Sequence, residues 1–108
     1  LALELLALGA TLVADDRTLV SLRDGRLWLD VPETIRGMIE ARGLGILNAQ
    51  SAPAPLAAIV DLESEETERL PPIRKSTLLG MDVPLLHKTA RPYFPAALVQ
   101  YLKAGRRE

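Results

Sequence analysis

The sequence predicts an α/β fold, a mixed β-sheet with flanking helices. Three observations carry this expectation. The apolar segments at the two ends, residues 1–8 and 95–104, have helix character. Between them lie several short apolar runs bounded by Gly, Pro and Asp, the usual punctuation of strands. Their order is helix, strand, hairpin, helix, then strands, which is not the strict alternation of an all-parallel sheet. The length of 108 residues suits one domain, and a hydrophobic share of 48% is enough for a core.

The elements follow in chain order. LALELLAL, residues 1–8, is apolar on almost every side, so it predicts a helix buried against a sheet. Gly9 is its natural stop. ATLVA, residues 10–14, reads as a short buried strand ending at Asp15-Asp16. TLVSLR and RLWLDV flank Asp24-Gly25, a strong hairpin signal because this pair tolerates the positive backbone angles of a tight turn. Pro32 suits the first turn of a helix over residues 32–41. Gly43-Leu44-Gly45 breaks that helix, and residues 49–55 form a loop. LAAIVDL, residues 56–62, is the best candidate for a central strand. The charged run 63–69 reads as a solvated loop or a short surface helix. Two short strands, STLLG and VPLLH, surround Gly80-Met81-Asp82, and a terminal helix over 95–104 stops at Gly105.

Composition narrows the function classes. A net charge of −1 gives no electrostatic reason to expect nucleic acid, and no basic stripe interleaves with aromatics. The apolar runs are far shorter than a membrane span. With no cysteine, disulfides and thiolate metal sites are excluded, which fits a reducing cytoplasm. The chain opens on a leucine inside an apolar run with no capping residue before it, so a fragment is expected.

Three segments, in order, resemble the HPr kinase/phosphorylase family. In that family the helix of LALELLALGATLVADD, residues 1–16, follows the phosphate-binding loop, and its strand ends in the same Ala-Asp-Asp. IEARGLGILNA, residues 39–49, is similar to the family's signature segment. ETERL, residues 66–70, followed by LLGMDVPLL, residues 78–86, looks like the family's Asp-Arg-Leu-Gly stretch and the strand pair after it. The resemblance covers nearly the whole chain. It implies a P-loop/PEP-carboxykinase-like kinase core, with residues 1–108 as one catalytic domain cut just after its GxxxxGK[ST] loop. The implied activity is ATP-dependent serine phosphorylation of an HPr-type phosphocarrier of the phosphotransferase system, with phosphorolysis as the reverse reaction. ATP and Mg²⁺ are the implied cofactors. A cytoplasmic homo-oligomer, a hexamer in family terms, is the implied assembly.

The resemblance also assigns residues, and each has a plainer reading beside it. Asp16 matches the catalytic acid/base that would take the proton of the acceptor serine; positioning and a proton acceptor are most of what phosphoryl transfer asks of protein groups. Asp15 would orient the loop or touch metal-bound water. The plainer reading is that the pair caps a turn. Glu40 matches a carboxylate that contacts magnesium, an ion satisfied by few protein oxygens plus phosphate and water. Otherwise it is an exposed helix residue paired with Arg36 at i−4. Arg42, Gly43 and Gly45 complete the signature as nucleotide-binding residues, or else end a helix. Arg69 matches a catalytic arginine, although Pro71 stands where the family has glycine; its alternative is a surface arginine. Arg91-Pro92 fits a Pro-x-Arg-Pro-Gly-Arg segment linked to dephosphorylation, but Tyr93-Phe94 replaces the Gly-Arg, a departure that bears on the phosphorylase reaction more than on the kinase reaction. His87 reads as structural or surface, and Trp28 as core or interface. The second function class is a non-catalytic interaction module of kinase ancestry, and the third an unrelated small nucleotide-binding enzyme.

Overall fold

The computed structural model describes all residues, 1–108. The chain is mixed α/β, as predicted, but its strand pairing is spread over three small sheets. It divides into two compact units, Ala2–Leu56 and Ala57–Glu108, with Leu1 grouped with the second.

The first unit begins with helix α1, Ala2–Ala7, which buries no residue. The expectation of a buried helix is therefore corrected: two turns expose Leu3 and only half-cover Leu5 and Leu6. The helix closes when Ala10 N–H donates to Leu5 O and Gly9 N–H to Leu6 O. ATLVA does not form a strand. Only Leu12 makes a bridge, parallel to Ser51, and Ala52 N–H donates to Leu12 O. The run has strand-like residues but no neighbouring strand to pair along, so one buried leucine is its anchor.

Strands β1, Leu19–Arg23, and β2, Arg26–Asp30, form the predicted hairpin. Asp24 and Gly25 both take positive φ, +50° and +75°, as a two-residue turn of matching twist requires. Leu22 faces Leu27 across the pair, and Leu27 is buried. Arg26 lies over the Trp28 ring at 5.9 Å, a cation–π contact on a strand surface. The chain next makes strands β3, Met38–Ala41, and β4, Gly45–Asn48, and then the short β5, Ala54–Pro55, which pairs with β2.

The predicted helix over 32–41 is overturned. One 3₁₀ turn, Glu33–Ile35, follows Pro32, and the chain then extends into β3. Gly37 explains why. Its φ is +72°, and a Cβ there would sit 3.2 Å from the Ala49 carbonyl oxygen, so no helix passes through it. Beyond it Met38-Ile39-Glu40-Ala41 alternates exposed and buried, the period of a strand.

The second unit is built on β8, Met81–Lys88, flanked by β6, Ile59–Glu65, and β7, Lys75–Leu78. β6 runs parallel to β8 and β7 antiparallel, a truly mixed arrangement. The strand expected at 56–62 therefore starts later, extends into the charged run, and lies at a sheet edge; β8 is the middle strand. The β6–β8 register shifts between Asp61 and Glu65. Asp61 turns its carboxylate back on Glu63 N–H, at 2.9 Å, which bends the strand there. Leu79-Gly80 makes the β7–β8 turn, and Met81 and Asp82 belong to the strand. Helix α2, Phe94–Ala104, buries Pro95 and Leu98 and ends at Gly105 as expected. No helix is long and apolar enough to cross a membrane.

Candidate functional site

In the first unit, Asp15, Asp16 and Glu40 line one cleft of about 450 Å³ together with Ile35, Met38 and Ile46. The cleft follows from strand register. Glu40 pairs with Ile46 between β3 and β4. The Glu40 N–H points away from β4, because it donates to Asp15 Oδ2 at 2.8 Å. Glu40 and Ile46 are therefore a non-hydrogen-bonded pair, the kind whose side chains lie closer together. Alternation sends Ile39 and Ala41 into the core and leaves Met38 and Glu40 on the open face.

Asp15 and Asp16 reach this face from the segment after Leu12, not from the tip of a strand. What holds them is the Leu12 bridge on one side and the Asp15–Glu40 hydrogen bond on the other. The Asp16 and Glu40 carboxylates take part in none of the chain's hydrogen bonds or ion pairs. The expected alternative pairing of Glu40 with Arg36 is absent. Arg36 instead binds Glu33 at 3.0 Å and Asp30 at 3.3 Å. The hydrogen bond to Glu33 raises the Arg36 pKa, and the Val31 N–H followed by Arg36 lowers that of Asp30.

Arg42 and Gly43 lie in the exposed turn between β3 and β4, and Gly45 opens β4. Nothing in the chain approaches within 4 Å of the position a Cβ would take at Gly43 or Gly45, so their backbone is open from outside. No three carboxylate or imidazole groups gather closely enough to hold a metal ion by themselves. The donor set still suits Mg²⁺ in its usual form, where one or two carboxylates supplement phosphate and water oxygens.

In the second unit, Arg69 lines a different cleft, about 500 Å³, with Arg91, Thr67, Thr89, Glu68 and Tyr93 among its walls. Arg69 and Arg91 are exposed and enter no ion pair. Arg69 sits in the segment between β6 and β7, whose base is clasped by Glu66 and Arg74. Arg74 Nη2 lies 3.2 Å from Glu66 Oε2, and Arg74 Nε donates to Oε1 at 3.3 Å. The same carboxylate accepts from Thr67 N–H at 3.1 Å. The Arg74 hydrogen bond, ahead of the backbone donors, holds the Glu66 pKa below the usual carboxylate value. Arg106 donates to Pro71 O, a further tie on the segment.

His87 is half-buried on β8 opposite Asp61, and it lines an apolar cleft of about 250 Å³ with Tyr93, Phe94, Tyr101 and Leu98. Trp28 is half-exposed on its hairpin.

The sequence reading did not single out Ile35, Met38 or Ile46 as site residues. The period-two alternation of Met38–Ala41 was the available signal, since a strand that exposes Glu40 must also expose Met38.

Comparison with known proteins bears on the fold. The structure is similar to the HPr(Ser) kinase/phosphatase from Coxiella burnetii, with a TM-score of 0.81 over 94% of this chain and 72% of that one, at 21% sequence identity. No protein-family model matches the chain, and neither does any curated protein. The likeness establishes a shared fold.

Proposed function

We propose that this chain is catalytic-domain sequence of an ATP-dependent protein serine kinase, acting on an HPr-type phosphocarrier. The observation that carries the reading is the convergence of Asp16 and Glu40 on one cleft, in a fold similar to an HPr(Ser) kinase/phosphatase. Asp16 accepts the proton of the acceptor serine as its oxygen attacks the terminal phosphorus of ATP and ADP departs. Glu40 would hold Mg²⁺, which supplies charge neutralisation at the phosphates when bound. Asp15 acts through Glu40: its grip on the strand N–H fixes where that carboxylate stands. Arg42, Gly43 and Gly45 offer a cation and open backbone to the nucleotide. Arg69 and Arg91, on a separate cleft, supply guanidiniums suited to a phosphoryl group. A cytoplasmic homo-oligomer belongs to the same reading, with a hexamer as its family form.

The test incubates the intact protein with ATP, Mg²⁺ and an HPr-type carrier and measures phosphoserine. Transfer is expected, and Asp16→Asn should reduce it by about 10²- to 10⁴-fold while leaving the melting temperature nearly unchanged. An intact protein that forms no phosphoserine defeats the reading. The second reading is a kinase-derived module that binds a carrier without modifying it. Carrier binding without transfer would select it.

A further inference from the structure

The chain is poor in aromatic residues, with one phenylalanine, two tyrosines and one tryptophan. Three of these four, Tyr93, Phe94 and Tyr101, line the same cleft of the second unit, about 250 Å³ in volume and walled also by residues of β8. None of the three is buried: Tyr93 is exposed, and Phe94 and Tyr101 are half-buried. Phe94, Leu98 and Tyr101 recur at helical spacing along α2, so one stripe of the helix meets the cleft, with Ala97 beside it. Side chains of this size ordinarily fill the space between a helix and a sheet, because interiors pack as densely as organic crystals. Here they stand around an opening. The proposed kinase reading gives that opening no part.

The charges in its wall do not cancel. Glu66 and Arg74 both line the cleft, but as an ion pair that neutralises itself. Arg106 lines it as well, half-buried, and donates to the uncharged Pro71 carbonyl. It enters no ion pair. One uncompensated cation therefore stands at the wall of an apolar, aromatic cavity, with Thr89 and His87 as further hydrogen-bonding groups.

We propose that this cleft binds a small aromatic carboxylate, its ring against Phe94, Leu98 and Tyr101 and its carboxylate on Arg106. Size, surface and charge each select that class. An apolar cavity of about 150 Å³ already accepts benzene, so the volume here admits one ring with a short side chain. Ring edges and faces give a bound ring geometry that an aliphatic wall does not. A guanidinium meets a carboxylate with paired, charge-assisted hydrogen bonds. One cation matches one negative charge, whereas a phosphate dianion would carry a second charge against apolar walls with nothing to meet it. The inference is independent of the kinase reading.

The experiment titrates the intact protein with hydrocinnamate and, separately, with its neutral amide, following the backbone amide resonances of Leu85, Leu98 and Tyr101. Hydrocinnamate should shift them with a Kd of about 0.1–1 mM, in keeping with the few atoms it offers. The neutral amide should bind about tenfold more weakly, because its contact with Arg106 lacks the charge. Arg106→Gln, which still donates to the Pro71 carbonyl, should bring the two probes within about twofold of each other. Ala97 is exposed at the rim, so Ala97→Leu extends a side chain over the cleft and leaves the buried Leu98 in place. It should weaken both probes by more than about tenfold. Three results overturn the inference: no shift at these amides up to about 10 mM hydrocinnamate, equal affinity for the acid and its amide in the unaltered protein, and undiminished binding in Ala97→Leu. The acid-against-amide comparison uses no variant and decides the matter even if a variant folds poorly. Serine transfer enters none of these readouts, so a failed kinase assay and a failed titration are told apart.

Discussion

The acidic cleft of the first unit and the mixed-charge cleft of the second hold their charged side chains by different means. Around Asp16 and Glu40 the support is backbone: a two-strand register, one leucine bridge and one carboxylate on a strand N–H. Around Arg69 it is an ion pair, Glu66 with Arg74, that clasps the base of a loop. A register is all-or-none, because a one-residue slip moves every side chain to the opposite face. An ion pair loosens gradually with pH. The first arrangement suits groups that must keep a fixed mutual position, and the second suits a charge that must reach an anion.

The largest effect expected from this contrast is on catalysis. On the kinase reading, Arg69→Met should lower kcat for serine phosphorylation by about 10²- to 10³-fold, the usual cost of deleting a donor that meets developing charge. It should leave thermal stability unchanged, since Arg69 is exposed and unpaired. Steady-state kinetics and a melting curve on the same preparation check both halves.

Next in size is the register itself. Gly37→Ala places a methyl group 3.2 Å from the Ala49 carbonyl oxygen at φ +72°, so the Ala49 backbone must give by a few tenths of an ångström and the left-handed conformation at residue 37 becomes strained. A loss of about 1–2 kcal/mol is expected from the backbone conformation alone, read by chemical denaturation. Activity should fall with it, because the same strand carries Glu40.

The smallest effect separates the two supports by pH. Glu66 titrates below its ordinary value of 4.5, chiefly because Arg74 hydrogen-bonds to its ionised form. A depressed carboxylate stabilises the folded state fully above that ordinary value, and the contribution erodes as the pH falls through the lower folded one. The loop should therefore open under acid before the β3–β4 pairing does. Amide exchange at Thr67 and Glu68, corrected for intrinsic rates, should accelerate as the pH falls below 4.5, with Ile39 still protected.

Much of this organisation was legible in the residues. Asp24-Gly25 announced its hairpin because few pairs tolerate that turn. Pro95 and Gly105 bracketed the last helix. The failures have physical causes. Pro32 does begin a turn, but Gly37 adopts a conformation dictated by the approach of Ala49, a tertiary contact invisible in the local sequence. ATLVA has strand propensity without a strand to meet, and propensity alone cannot supply a partner. For the cleft, Asp15, Asp16 and Glu40 were singled out, and the structure brings all three together. Their apolar companions were missed because treating residues 32–41 as a helix hid which side chains share a face.

One feature of the second unit bears on how such chains can vary. Glu66 N–H donates to Lys88 O and Leu85 N–H donates to Arg74 O, so both ends of the segment from Glu66 to Arg74 are stitched to β8. With its ends fastened, the intervening stretch can lengthen at little thermodynamic cost, about 0.6 kcal/mol for each doubling. Residues inserted here are expected to leave the strands in place, at the expense of the position of Arg69 and of the Arg106–Pro71 tie.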